Sequence, residues 1–124
     1  MATRAVYSFS GFLDAPERHF LLHHDGYPKG AAHRFAVALR HSSEATSFLT
    51  VFLSTQRHVE PMASLVQVTD AAYRYRIQLA HLPQPSLLVQ CWKMIPAHNR
   101  WLPRSSRMPM DLFIQRFLPG IRGR

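Results

Sequence analysis

The sequence contains little of what several classes of protein require. Cys91 is the only cysteine among 124 residues, which excludes an internal disulfide and a zinc site made of several thiolates. The apolar runs are a few residues long, so the sequence predicts no transmembrane helix. The first residues also lack the apolar stretch of a secretory signal, and we therefore expect a cytoplasmic protein that does not bind a membrane.

Acidic residues and lysines are scarce as well. Asp and Glu number 7 against 15 Lys and Arg, which gives a net charge of +8 with neutral histidines. Only Lys29 and Lys93 are lysines, so the positive charge is almost entirely arginine. Hydrophobic residues make up 47% of the chain, which is too many for a disordered basic tail. We therefore predict one folded domain over residues 1–124.

The hydrophobic pattern predicts a mixture of strands and helices. Alternation with a period of two, or a short apolar run, predicts five strands, at residues 4–10, 18–24, 65–68, 73–79 and 87–94. Helical spacing predicts one helix from Pro28, a second capped by Ser42 or Ser43, and a third from Pro109. The order β-β-α-α-β-β-β-α indicates an α+β fold, in which an antiparallel sheet of four to five strands has helices packed on one face.

The clearest turn signal is the tetrapeptide Asp25, Gly26, Tyr27 and Pro28. Asp and Gly favour a tight turn, and Pro28 is well suited to the first position of a helix. Because proline also disfavours helical backbone at the residue before it, the chain should turn at Tyr27. We predict a structural role for these four residues.

Several short motifs occur here together. They are the dipeptide Thr3-Arg4 before a strand, the H-x-D-G-Y-P turn that starts at His23, the Tyr73-Arg74-Tyr75 strand, the Trp92-Lys93 pair and Phe113-Ile114 in the last helix. In this set the chain resembles a family of small phage, plasmid and bacterial proteins of unknown function. It departs from that family at residues 55–64 and in the arginine-rich last 25 residues. The resemblance implies a compact protein of a mobile element and supplies no catalytic residues.

The chain has 8 histidines, and some cluster before the turn. His19 and His23 share one face of the predicted strand, and His33 could approach them from the following helix. A metal site formed by these three histidines is one interpretation. The one we favour is that Asp25 braces the turn while the imidazoles form local hydrogen bonds, so we expect neither a metal nor a cofactor.

The usual signatures of catalysis are missing from the sequence. It has no G-x-S-x-G elbow, no P-loop and no dinucleotide fingerprint. Cys91 belongs to an apolar strand, where a thiol is usually inert. We therefore expect a protein that is not an enzyme, with a histidine-dependent metal enzyme as the least favoured alternative.

Arginine is concentrated near the C-terminal end. Residues 100–124 contain six arginines and one acidic residue, Asp111. The segment 99–107 has no regular periodicity and predicts an exposed basic loop with an aromatic side chain for stacking. The predicted partner-binding residues are Arg74 and Arg76 from a strand together with Arg100, Trp101, Arg104 and Arg107 from this loop. The alternative is a solvated face whose arginines serve no partner.

Arginine binds phosphates and carboxylates through its planar fork, and it stacks on bases. The hypothesis is therefore a non-enzymatic interaction protein of a phage or other mobile element. It would bind a host protein or nucleoprotein complex, for example as an inhibitor of a CRISPR effector. Direct binding of nucleic acid is the alternative. The sequence does not identify the partner or the oligomeric state.

Overall fold

The computed structural model describes residues 3–12, 16–56, 58–64, 70–97 and 100–118. These residues form six strands and three α-helices. The strands are β1 (Ala5–Ser10), β2 (Arg18–Leu22), β3 (Glu60–Met62), β4 (Tyr73–Ala80), β5 (Ser86–Ile95) and β6 (Arg100–Pro109). The helices are α1 (Pro28–His41), α2 (Phe48–Thr55), which follows a short 3₁₀ turn, and α3 (Met110–Phe117). The predicted α+β class is confirmed.

The strands form one sheet in the order β3-β2-β1-β4-β5-β6. Neighbouring strands are antiparallel except β1 and β4, which are parallel, with Tyr7 opposite Tyr75. The prediction of a purely antiparallel sheet is therefore wrong. Between β2 and β4 the chain forms α1, α2 and β3. This connection is long enough to place β4 beside β1 and parallel to it.

All three helices pack on one face of this sheet, as predicted. Their buried aromatic rings contact the rings that β1 and β4 direct toward them. Tyr7 stacks on Tyr75 at 5.0 Å between ring centroids. Phe35 of α1 packs against both rings in T-shaped geometry. Phe52 and Phe113 close the same cluster from α2 and α3. A core built from large aromatic rings holds the helices against the sheet by apolar burial.

Two boundary predictions need correction. Residues 100–109 form the edge strand β6, whereas an exposed loop was predicted for 99–107. Ser42 ends α1, where its hydroxyl donates to the carbonyl of Ala38, so it does not cap the second helix. The helical segment after Glu44 has no side-chain cap hydrogen bond, which excludes Ser43 from that role too. The strand predicted at 65–68 lies outside the described residues.

The second face of the sheet carries the alternate side chains of the same strands. Part of this face is buried over β1 and β2. Val6 and Leu21 of these strands form a small cluster with Ala71, and Met62 and Trp101 pack against it. Over β4, β5 and β6 this face carries arginine and glutamine side chains together with apolar ones such as Leu88, Trp92 and Met94. None of the described helices is long and apolar enough to span a bilayer.

Candidate interaction surface

The turn at residues 25–28 joins β2 to α1 and is tied to two strands. Asp25 adopts a left-handed conformation with φ 54°, and Pro28 is the first residue of α1. The N–H of Gly26 donates to the carbonyl of Thr3 at 2.9 Å, while the Tyr75 hydroxyl donates to the Gly26 carbonyl at 2.5 Å. An added Cβ at Gly26 would lie 2.7 Å from the Thr3 carbonyl oxygen, so the close approach requires glycine. These contacts give the turn a structural role.

Three of the predicted arginines meet on the sheet face opposite the helices. We define the arginine face as Arg74, Arg76, Gln78, Gln90, Trp92 and Arg107 of strands β4, β5 and β6. Register places these side chains in cross-strand rows, Arg74 beside Trp92 and Arg76 beside Gln90. Arg107 joins them from β6, where its guanidinium donates to the Gln78 side chain at 3.3 Å. Cross-strand neighbours of this kind stand about 5 Å apart, so the six residues form one continuous surface.

One carboxylate holds two of these arginines. Glu17, which precedes β2, accepts from Arg76 Nε at 3.2 Å and from Arg74 Nη2 at 3.4 Å. The Arg76 side chain remains 44% exposed, whereas that of Arg74 is 16% exposed. The three arginines outnumber Glu17, so the arginine face keeps a positive charge with exposed N–H donors at Arg76 and Arg107.

Arg74 also lies over the indole of Trp92, with 4.9 Å between the guanidinium carbon and the ring centroid. Burial lowers the pKa of this guanidinium, and the Glu17 carboxylate opposes that shift. An arginine still carries its charge at neutral pH after such a shift. The pair therefore presents a planar cation stacked on a large aromatic ring, which restricts the conformational freedom of both groups before any partner binds.

The remaining predicted residues do not join this face as expected. Arg104 lies on the helix side, with its guanidinium 5.3 Å from the Phe117 ring centroid. Arg100 begins the edge strand opposite Ile95. Trp101 is directed to the same side as Trp92 but packs at one end of the sheet against the small apolar cluster. The predicted basic loop is thus divided between two faces of β6.

This division follows from the position of each residue along β6, a strand that also has register shifts against β5. Val89 is opposite Met108, Cys91 opposite Ser105 and Trp92 opposite Pro103, so β6 contains extra residues at two points. Each extra residue interrupts the alternation of side chains between faces. Arg104 and Arg107 are three residues apart, and alternation along a strand directs side chains at that spacing to opposite faces.

Sequence reasoning missed Trp92, Gln90 and Glu17. The first two could have been found, because Val89 and Cys91 are buried and alternation then directs Gln90 and Trp92 to the other side. No sequence pattern indicated a role for Glu17, because it reaches Arg74 and Arg76 only when β2 pairs with β1.

The histidines lie in different environments. His19 Nδ1 and Ser8 Oγ are joined by a 2.7 Å hydrogen bond across β1 and β2, while His23 Nε2 lies 3.4 Å from a Glu60 carboxylate oxygen. His33 lines a different cavity, together with Asp25 and Lys29. Among the described residues, no three His, Cys, Asp or Glu side chains are placed to share a metal ion.

Ser8 and Cys91 are two buried nucleophilic side chains. Ser8 has a histidine within hydrogen-bond distance, as an activated serine would, but it is 0% exposed and cannot reach a substrate. Burial lowers the pKa of His19 and raises that of the Cys91 thiol to about 12. A thiol with that pKa is protonated at neutral pH and is a poor nucleophile.

Comparisons of the chain with models of protein families, with curated proteins and with solved structures found no match.

Proposed function

We propose that this chain is a non-enzymatic binding protein that uses the arginine face to bind an anionic surface of a host protein or nucleoprotein complex. The observation that carries the proposal is the asymmetry of the sheet. One face is covered by the three helices, while β4, β5 and β6 expose guanidinium groups beside an indole on the other. Arg and Trp are the residue types most enriched in the energetic centres of interfaces.

The genomic context of the proposal rests on the H-x-D-G-Y-P turn and its companion motifs, which resemble small proteins of phages and plasmids. A small protein of a mobile element that acts by binding can inhibit a host defence complex by covering its working surface. Inhibition of a CRISPR effector is the role we propose within this class. Its cellular test is whether expression of the protein restores plating of a phage that the host's CRISPR system targets.

The binding proposal is tested by charge reversal on the arginine face. We expect Arg76→Glu combined with Arg107→Glu to abolish capture of the partner from a bacterial lysate. The matched control is Arg40→Glu combined with Arg116→Glu, which changes the net charge equally at exposed positions on α1 and α3. Equal loss of partner capture in both double variants would show that only the net charge matters. Retained capture by the Arg76 and Arg107 variant would refute the proposal.

Direct binding of single-stranded nucleic acid is the second candidate, favoured by the stacked Arg74 and Trp92 pair. Aromatic rings and guanidinium planes stack on bases, and each stacked base contributes roughly 1–3 kcal/mol. Binding of a single-stranded oligonucleotide should weaken steeply between two salt concentrations, because each neutralised phosphate releases counterions. Trp92→Leu should weaken it by roughly tenfold. Absence of oligonucleotide binding near physiological salt, with lysate capture retained after nuclease treatment, would assign the face to a protein partner.

A further inference from the structure

A cavity of about 190 Å³ lies where the end of β2, helix α1 and the segment after α2 meet. It is separate from the arginine face. The residues that line it are Leu22, His23, His24, Arg34, Gln56 and His58. Among the residues that the structure describes, this lining contains an arginine, three histidines and an amide, and no carboxylate.

Arg34 is held in place at this cavity by neutral groups. Its Nη1 donates to the Asp25 carbonyl at 2.7 Å and to the Tyr7 hydroxyl at 3.3 Å, and its Nη2 donates to the His24 carbonyl at 2.6 Å. Nε donates to the Gln56 side chain at 3.0 Å. Within the described part of the chain, no carboxylate lies within 4.0 Å of Arg34 to form an ion pair.

A partly buried guanidinium without a carboxylate partner leaves a positive charge that neutral carbonyls compensate only in part. Arg34 has five N–H donors, and four of them donate to described residues, which leaves one on Nη2 within that part of the chain. The neighbouring imidazoles add hydrogen-bonding groups to the same space. His23 also approaches Glu60 at 3.4 Å, whereas His24 and His58 have no such contact with a carboxylate of the described residues.

From this arrangement we propose that the cavity binds a small oxyanion, either free phosphate or the phosphate group of a small molecule, against Arg34, Gln56 and His58. A negative ion would complete the electrostatic balance of Arg34 and accept hydrogen bonds from the cavity wall. The cavity is large enough for such a group together with several waters.

The test is a titration with inorganic phosphate, with sodium chloride at equal ionic strength as the reference. Phosphate should raise the melting temperature beyond the effect of chloride, and it should shift the NMR signals of Arg34 Nε–H and the Gln56 side-chain amide. A nucleoside monophosphate is the second probe. Tighter binding of that compound would identify a phosphate ester as the natural ligand, and equal or weaker binding would identify free phosphate.

His58→Gly is the informative variant, because His58 has φ 62° and glycine adopts that conformation without strain. We expect it to weaken phosphate binding roughly tenfold. His41→Gly, at an exposed histidine that ends α1, should bind like the parent protein. Arg34→Gln should lose phosphate binding if the variant folds. If it does not fold, the comparison of His58→Gly with His41→Gly tests the proposal.

The proposal is overturned if phosphate and chloride stabilise the protein equally, or if the two glycine variants bind phosphate alike. It is also overturned if the shifted signals come from Lys29 and His33 instead of Arg34 and Gln56. Such shifts would place the anion at the start of α1. The Arg76 and Arg107 variants should leave phosphate binding unchanged, so this result does not depend on the arginine face.

Discussion

The two faces of β4 derive from alternate residues of one strand. Tyr73, Tyr75 and Ile77 enter the aromatic core, whereas Arg74 and Arg76 are directed to the opposite side. On the core side, Tyr75 is 0% exposed and surrounded by rings. On the other side, Arg76 meets a carboxylate and solvent.

The difference separates stability from binding. Burial of large apolar rings is the dominant favourable contribution to folding, whereas exposed ion pairs usually contribute at most about 1 kcal/mol. The helix-covered face should therefore set the free energy of unfolding, and the arginine face should be free to vary without unfolding the chain.

The largest effect should follow from removing a ring of the core. Phe35 is 0% exposed and lies within about 6 Å of the rings of Tyr7, Phe52 and Phe113. Phe35→Ala should lower the free energy of unfolding by about 3–5 kcal/mol, because the cavity cannot fully collapse. Arg76→Ala should change it by less than about 0.5 kcal/mol. Urea denaturation measures both, and comparable losses would refute the division of roles.

High pH should also act through the core. Burial raises the pKa of Tyr7 from 10.0 to about 12 and that of Cys91 from 9.0 to about 12, and it raises the pKa of Tyr75 in the same direction. The unfolded chain releases these protons first, so stability should fall as the pH rises above about 9. For Tyr7 the shift corresponds to roughly 3 kcal/mol.

Circular dichroism against pH, together with phenolate absorbance, measures this loss. Phenolate from the buried tyrosines should appear only as the protein unfolds. Tyr7→Phe removes one of the groups that burial keeps protonated, and it should flatten the dependence. Phenolate that forms fully while the helices remain intact would contradict the prediction.

A smaller effect should follow from one hydroxyl of the core. Tyr75 donates to the Gly26 carbonyl, and Tyr75→Phe leaves that buried acceptor without this donor. We expect a loss of about 1–3 kcal/mol. Tyr27→Phe is the matched control because Tyr27 is 54% exposed, and it should cost less than about 0.5 kcal/mol. Denaturation midpoints that fall equally in the two variants would show that the hydroxyl of Tyr75 does not brace the turn.

Elements with an uninterrupted period were predictable. The alternation from Tyr73 onward and the helical spacing around Phe35 and Phe113 each reflect one buried face, so sequence and structure agree there. The edge strand β6 was not predictable in this way. Its register shifts remove the period of two, and its prolines at 103 and 109 are tolerated because edge strands have unpaired positions.

Only part of the candidate surface could be predicted from the sequence. Arg74 and Arg76 could be assigned to one face by alternation alone. The parallel pairing of β1 with β4 and the approach of Glu17 to both arginines depend on which strands become neighbours, and no local pattern records that choice. Composition suggested a basic surface, but Arg107 and Arg104 separate onto two faces only because their segment forms a strand and not the predicted loop.

The smallest effect should come from His19, which lies beside the arginine face. Burial lowers its pKa below the ordinary value of 6.5, outweighing the opposite effect of Glu17, so the folded state resists protonation more than the unfolded chain does. Stability should therefore fall as the pH decreases below 6.5, down to the lowered pKa. His19→Gln cannot titrate but can still hydrogen-bond to Ser8, so its melting temperature should change less between pH 6.5 and about 5. If the melting temperatures of the two proteins change in parallel over this range, the pKa of His19 is the same in the folded and unfolded states. This half-buried residue then adds nothing to the pH dependence of stability.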